Sequence, residues 1–271
     1  MSLKVKDIDK IMEEHAPSKF KESYDNVGLM IGERSAEITS ILVALDCTLD
    51  VIEEAKEKKC NLILTHHPLL FRKPLNITND TLLGKKIIEI IRNGLNVYSS
   101  HTNLDSIKGG INDIVMQLLG LKKYDTISLS DKRKDDDHST GIGRIAVLDE
   151  PITVLELCDK IKKDLNISML RYSGKDEMKI KKVAVINGSG QEYFNAAKRL
   201  GADCIITGDT TYHYVSDLNE EGIAVIDAGH FGTEWPAMQV FAKWLKDKLE
   251  FMGFSNFVYI SEFNRSPYKY K

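Results

Sequence analysis

Ile41-Leu-Val-Ala-Leu-Asp-Cys-Thr48 runs into Leu49-Asp-Val-Ile-Glu-Glu-Ala-Lys-Glu-Lys58 and then, after one residue, Cys60-Asn-Leu-Ile-Leu-Thr-His-His67. The same three-part phrase returns as Val183-Ala-Val-Ile-Asn-Gly-Ser-Gly190, Gln191-Glu-Tyr-Phe-Asn-Ala-Ala-Lys-Arg-Leu200 and Ala202-Asp-Cys-Ile-Ile-Thr-Gly-Asp209. Each copy is a β-branched run, a segment with helical apolar spacing, and a second β-branched run that ends in Thr. With Asp46 aligned to Asn187 and Thr65 to Thr207, the spans are 19 and 20 residues, which favours an internal duplication. A third apolar strand follows in each half, Leu95-Asn-Val-Tyr-Ser-Ser100 and Ile223-Ala-Val-Ile-Asp-Ala-Gly229. Strands alternating with helices predict an α/β fold with largely parallel pairing. In such sheets ligands collect at the carboxyl ends of the strands.

Outside the repeat, Tyr124–Ser139 holds Asp131-Lys-Arg-Lys-Asp-Asp-Asp-His138, polar and unpatterned, and reads as a solvated linker or loop. That placement removes His138 from the ligand candidates. Gly141–Leu148 reads as a strand and Pro151–Leu165 as a helix with Val154, Leu157, Ile161 and Leu165 on its apolar face. A last helix from about Pro236 to Leu249 has Met238, Phe241, Leu245 and Leu249 to bury, with Glu234 at its start. The expected organisation is two related α/β domains, 1–125 plus 231–271 and 126–230.

Composition bounds the function. The chain has 271 residues, 42% hydrophobic and 28% charged, which is enough for sizeable cores. A net charge of −3 gives no support to nonspecific nucleic-acid binding, which needs a basic face. The opening Met1–Lys10 alternates charged with apolar residues and lacks the apolar stretch of a secretory leader, and no run approaches membrane-span length. Cys47, Cys60, Cys158 and Cys204 are scattered, without Cys-x-x-Cys spacing, and read as reduced thiols of a cytoplasmic protein. Cys47 follows the first strand closely enough to approach a site, although a small packed side chain is the simpler account.

The chemistry-bearing residues sit at the strand ends. His66 and His67 close one apolar run; His101 and Asp105 follow another; His230 and Glu234, with the same spacing, follow a third. Four imidazoles and two carboxylates are about what two metal ions need with positions left for water and substrate. Consecutive histidines on a regular strand point to opposite faces, so His66 and His67 serve different ions or converge where the strand breaks, as Pro68 suggests. His101 and Asp105 share a face if a helical turn intervenes, while Gly232 and Pro236 place His230 and Glu234 across a strand-to-helix turn. Carboxylates can bridge two cations, which makes Asp105 and Glu234 the candidate bridges and the histidines terminal ligands. His213 is a candidate proton shuttle or substrate contact, or a solvent-facing helix residue. Gly188-Ser189-Gly190 offers backbone amides to an anion, or is simply a tight turn. His15, in the charged Glu13-Glu-His-Ala-Pro17, reads as surface.

An ordered set of motifs then carries a resemblance over nearly the whole chain. It consists of Tyr24-Asp-Asn-Val-Gly-Leu29, Leu64-Thr-His-His-Pro68, Ser99-Ser-His-Thr-Asn-Leu-Asp105, Gly188-Ser-Gly190, Ile206-Thr-Gly-Asp209 and Gly229-His-Phe-Gly-Thr-Glu234. The chain resembles the NIF-three-like dinuclear metal-centre family, often named GTP cyclohydrolase I type 2 homologues. The resemblance implies two related, intertwined α/β domains with the metal site between them. It also implies His66, His67, His101, Asp105, His230 and Glu234 as ligands, and a homohexamer around a central cavity. Some members carry a long insertion between the halves; this chain has only the short charged stretch.

The expected cofactor is two divalent ions per subunit, with Zn, Fe, Mn or Co all suited to imidazole and carboxylate. The expected activity is hydrolysis by a metal-activated water, on a small molecule such as a nucleotide and cyclohydrolase-like by resemblance. A two-metal phosphoesterase and a non-enzymatic metal-binding scaffold are the alternatives.

Overall fold

The computed structural model describes residues 2–134, 137–269 and 271. Asp135 and Asp136, inside the expected charged loop, lie outside the described residues. The first half runs α1 (Val5–His15), β1 (Gly28–Ile31), β2 (Ser40–Ala44), α2 (Leu49–Glu57), β3 (Leu62–Thr65), α3 (Leu82–Arg92), β4 (Asn96–Ser99) and α4 (Thr102–Ser106). Then follow α5 (Ile111–Leu118), β5 (Asp125–Leu129), β6 (Gly141–Thr153), α6 (Val154–Asp164), β7 (Arg171–Tyr172), β8 (Lys179–Ser189) and α7 (Phe194–Arg199). The chain ends with β9 (Cys204–Gly208), α8 (Tyr212–Glu220), β10 (Ala224–Asp227), α9 (His230–Phe251) and β11 (Phe257–Ile260).

By contacts the chain divides into two α/β units, Met1–Leu104 with Met238–Arg265, and Asp105–Ala237 with Ser266–Lys271. The changeovers fall inside α4 and α9, at 104/105 and 237/238, whereas the sequence reading puts them at 125/126 and 230/231.

The first unit holds the sheet β1-β4-β3-β2-β11, in which β4, β3, β2 and β11 run parallel and β1 antiparallel. Residues 41–44 and 62–65 are buried without alternation, as expected of parallel strands covered on both faces. Leu42, Ala44, Ile63 and Val97 lie on one face with Val51, Ile52 and Ala55 of α2. Thr48 caps α2 by accepting from the Val51 amide. His15 is not a surface residue. Its ring stacks on Trp244 at 3.8 Å between centroids, and burial together with the Lys248 charge pushes its pKa down to about 4. Sequence spacing could not show this, because Trp244 belongs to α9.

The second unit holds the sheet β5-β6-β8-β9-β10-β7, with β8, β9 and β10 parallel and the others antiparallel. Antiparallel pairs outnumber parallel ones here, so the largely parallel expectation fits the first sheet better. Ala184, Ile186, Ile205 and Val225 pack with Phe194 and Ala197 of α7. Part of the predicted linker is strand: residues 125–129 pair with β6. The predicted helix at Pro151 starts later, because Ile152 pairs with Ile180, and Thr153 with Glu156 forms a reciprocal capping box. Cys47, Cys60, Cys158 and Cys204 are buried and unbridged.

The repeat is visible in the topology. The series β1-β4-β3-β2 and β7-β10-β9-β8 match strand for strand, each with an antiparallel edge followed by three parallel strands. Val43 pairs with Leu64 and Val185 with Ile206, so the pairings align Leu45, and not Asp46, with Asn187.

Arg144 of β6, 1% exposed, anchors the second unit. It pairs through Nε with Asp113 of α5 and donates to the carbonyls of Gly141, Gly143, Ile107 and Ser139. Removing the carboxylate strands a buried guanidinium. Asp113→Ala is expected to destabilise the protein by about 3–5 kcal/mol in urea unfolding. A loss below about 1 kcal/mol, the range of an exposed pair, would contradict this role.

Candidate metal centre

In the first unit, β3 stops at Thr65 and the chain bends through His66 and His67. The Thr65 hydroxyl pins the bend, contacting the His67 carbonyl at 2.8 Å and Ser99 Oγ at 2.9 Å. The strand break is what lets two consecutive histidines converge. His101 follows β4 by two residues and precedes the short helix α4. The ring centroids of His66, His67 and His101 lie 5.1–5.5 Å apart, and one nitrogen from each falls within 4.8 Å of the others. This cluster could hold a metal ion.

What orients the rings is on the other nitrogen. His66 Nδ1 lies 2.9 Å from the Ser100 carbonyl, which can only accept, so Nδ1 is the donor. His67 Nδ1 lies 2.8 Å from Asp46, and His101 Nδ1 lies 2.9 Å from Asp25. A hydrogen bond from Nδ1–H to a carboxylate or carbonyl is the arrangement that fixes tautomer and orientation in metal-binding histidines. Asp25 is buried. Its other oxygen accepts from the Thr102 amide at 3.0 Å and hydroxyl at 2.5 Å. Burial alone would raise the Asp25 pKa, but His101 and Thr102 outweigh it and hold the carboxyl at about 2.

The second unit repeats the device. Helix α9 begins at His230, so His230 and Glu234 sit four apart on one helix, not across a strand-to-helix turn. His230 Nε2 is 3.1 Å from Glu234, and its Nδ1 is 2.7 Å from Asp209. Asp209 follows β9 with φ +50°, a left-handed conformation that Asp tolerates better than most residues. Asp105, in α4, accepts from the Asn187 side-chain amide at 3.3 Å. His213 lies exposed in the first turn of α8.

Gly188 and Ser189 end β8, and Gly190 leads into a 3₁₀ turn. The Gly188 amide donates to Thr233 Oγ1 at 3.0 Å. Its missing side chain matters more: a Cβ there would stand 2.2 Å from Glu234 Oε1 and 3.2 Å from His230 Nε2, and φ is +57°. Glycine makes room for the His230–Glu234 pair.

Sequence reasoning found the histidines and missed their partners. Asp25 stands 76 residues from His101, and Asp46 and Asp209 stand 21 from theirs, so no short spacing betrays them. The available signal was placement, since Asp46 and Asp209 each follow a strand end.

These features define a class: α/β proteins with a duplicated sheet whose strand ends carry carboxylate-backed histidines. The chain belongs to the Duf34/NIF3 (NGG1p interacting factor 3) family, whose sequence profile matches residues 3–267. It is 56% identical over 271 residues to the GTP cyclohydrolase 1 type 2 homolog of Clostridium acetobutylicum, covering 100% of both chains. Among solved structures, Staphylococcus aureus protein SA1388 superposes with a TM-score of 0.92 at 30% identity, covering 100% of both chains. A Bacillus cereus protein related to NIF3 does so with a TM-score of 0.93 at 24% identity, again with 100% coverage of both, and supports the fold alone.

Three outcomes are expected. Asp25→Asn should weaken metal binding about 10–100-fold by calorimetric titration. Because the Asp25 pKa is lowered from 3.8 to about 2, its carboxylate stabilises the fold above 3.8 and loses that effect as pH falls towards 2. The stability gap between wild type and Asp25→Asn should therefore close over that window; a pH-independent gap would contradict it. Gly188→Ala should displace Glu234 and lower metal occupancy, read by elemental analysis, while unchanged occupancy would show that the space is not required.

Proposed function

We propose that the protein is a metal-dependent hydrolase with a dinuclear centre. The observation that carries the reading is the Nδ1 hydrogen bond of each of His66, His67, His101 and His230 to a carboxylate or carbonyl, the orientation by which an imidazole presents Nε2 to a cation. In this reading His66, His67, His101, Asp105, His230 and Glu234 would hold the ions. The donor set of imidazole and carboxylate fits Zn, Fe, Mn or Co, and two such ions, when bound, supply Lewis acidity and an acidified water.

The chain's own groups do the rest. Asp46, Asp25 and Asp209 keep the rings aimed and raise their basicity, and the Asn187 amide turns Asp105. His213, exposed at the start of α8, is the candidate to carry a proton away. The activity is cyclohydrolase-like on a nucleotide, in keeping with the GTP cyclohydrolase 1 type 2 homolog name of the Clostridium acetobutylicum relative. The reading takes the protein as a cytoplasmic homo-oligomer, a hexamer by family resemblance, acting on a small molecule rather than on nucleic acid or membrane. Buried free thiols suit a reducing compartment. No helix among the described residues is long and apolar enough to cross a membrane.

His101→Ala and Glu234→Ala should each lower the metal content of purified protein below two ions per chain without loss of helical circular dichroism. GTP consumption should fall in step with metal. Two ions retained in both variants would overturn the ligand assignment. Full metal content without turnover of GTP or phosphoesters would overturn the hydrolase and leave a metal-binding scaffold.

A further inference from the structure

Beside His67, wholly within the first unit, lies a cavity of about 320 Å³. One wall is Asp46 and His67, the candidate ligand and the carboxylate that orients it. More of the lining comes from the start of α3, where Leu82, Leu83 and Lys86 border the space together with Leu69. Thr81 caps the helix by accepting from the Gly84 amide, which fixes that first turn. Positions 82, 83 and 86 stand at i, i+1 and i+4, so both leucines neighbour the lysine stem.

Two properties of this cavity have no use in the structure as it stands. Lys86 is half-buried, and among the described residues its ammonium has no ion-pair partner within reach. The carboxylate nearest in the lining, Asp46, is already engaged by His67 Nδ1. Leu82 is 62% exposed although it lines a concave surface. A half-buried cation and apolar side chains, lining the same cavity as the candidate ligand His67, fit a molecule with an anionic end, an apolar or ring-shaped body and a reacting end. Lysine is a point charge suited to phosphate, and its stem can cover apolar surface while the head reaches an anion.

We propose that Lys86 anchors the phosphate of an organic phosphate in this cavity, with the organic body against Leu69, Leu82 and Leu83. The inference rests on the hydrolase reading and narrows its substrate to a phosphorylated molecule whose reacting atoms are separate from the phosphate that Lys86 holds. A nucleotide attacked at its base has that form. A simple phosphomonoester, whose phosphorus must itself reach the metals, does not.

The probe is phenylphosphonate, whose C–P bond resists hydrolysis, titrated calorimetrically into the protein as purified. Wild type, Lys86→Met and Lys86→Arg are compared, and metal content and circular dichroism are measured for each. Lys86→Met should weaken binding about tenfold or more, and Lys86→Arg should restore it to within a few-fold, with metal content unchanged. Equal affinity in wild type and Lys86→Met would overturn the proposal, because the phosphonate would then be held elsewhere, on the metals included. So would failure of wild type to bind, or failure of arginine to rescue. Failure of the metal reading is distinct, since it would appear as absent metal with lysine-dependent binding intact.

Discussion

The hydrogen bond from histidine Nδ1 to a fixed acceptor is the constraint on which the rest of this structure depends. A free imidazole presents either nitrogen and rotates about two bonds. In this protein Asp25, Asp46, Asp209 and the Ser100 carbonyl each take one ring nitrogen at 2.7–2.9 Å. Those acceptors are themselves held by the ends of parallel strands or by turns that the strands define. The sheets put residues at the right places, and the acceptors decide which atom each residue presents.

Duplication explains how one chain came to carry the arrangement twice. The shared strand series places a carboxyl-end loop after the second and third strands of each copy, and both copies put histidine after the third. The copies then diverge. The first collects three imidazoles and draws its remaining carboxylate, Asp25, from before β1. The second collects one imidazole and Glu234 along a helix, and relies on Gly188 for clearance. Asp227, which ends β10 where Ser99 ends β4, serves Thr210, Arg171 and the Gly229 amide. Burial would raise its pKa, but those hydrogen bonds keep it below the usual carboxylate range. It shapes the turn into His230 through the Gly229 amide.

Much of this was legible in the sequence because strand and helix periodicities are local. The β-branched runs, α2 and the apolar face of α9 follow from residues within one or two turns of each other. Met238, Phe241, Leu245 and Leu249 are all buried as their spacing demands. The histidines were legible because they recur at strand ends with carboxylates at fixed offsets. What escaped was set by distance along the chain. The stacking of His15 on Trp244, the pairing of β5 with β6 and the carboxylates behind the rings all depend on contacts between residues remote in sequence, which no short window encodes. The helix starts differ from expectation at Pro151 and Pro236 for a related reason: the capping box at Thr153 and the turn at Gly229 outrank the local preference of proline.

The most direct test is anomalous diffraction at the metal edge from crystals of metal-loaded protein. Two peaks about 3.5–4 Å apart, each within bonding distance of histidine Nε2 atoms and shared by carboxylate oxygens, are the predicted result. A lone peak, widely separated peaks, or coordination through Nδ1 would contradict both the dinuclear centre and the ring-orienting role of Asp25, Asp46 and Asp209.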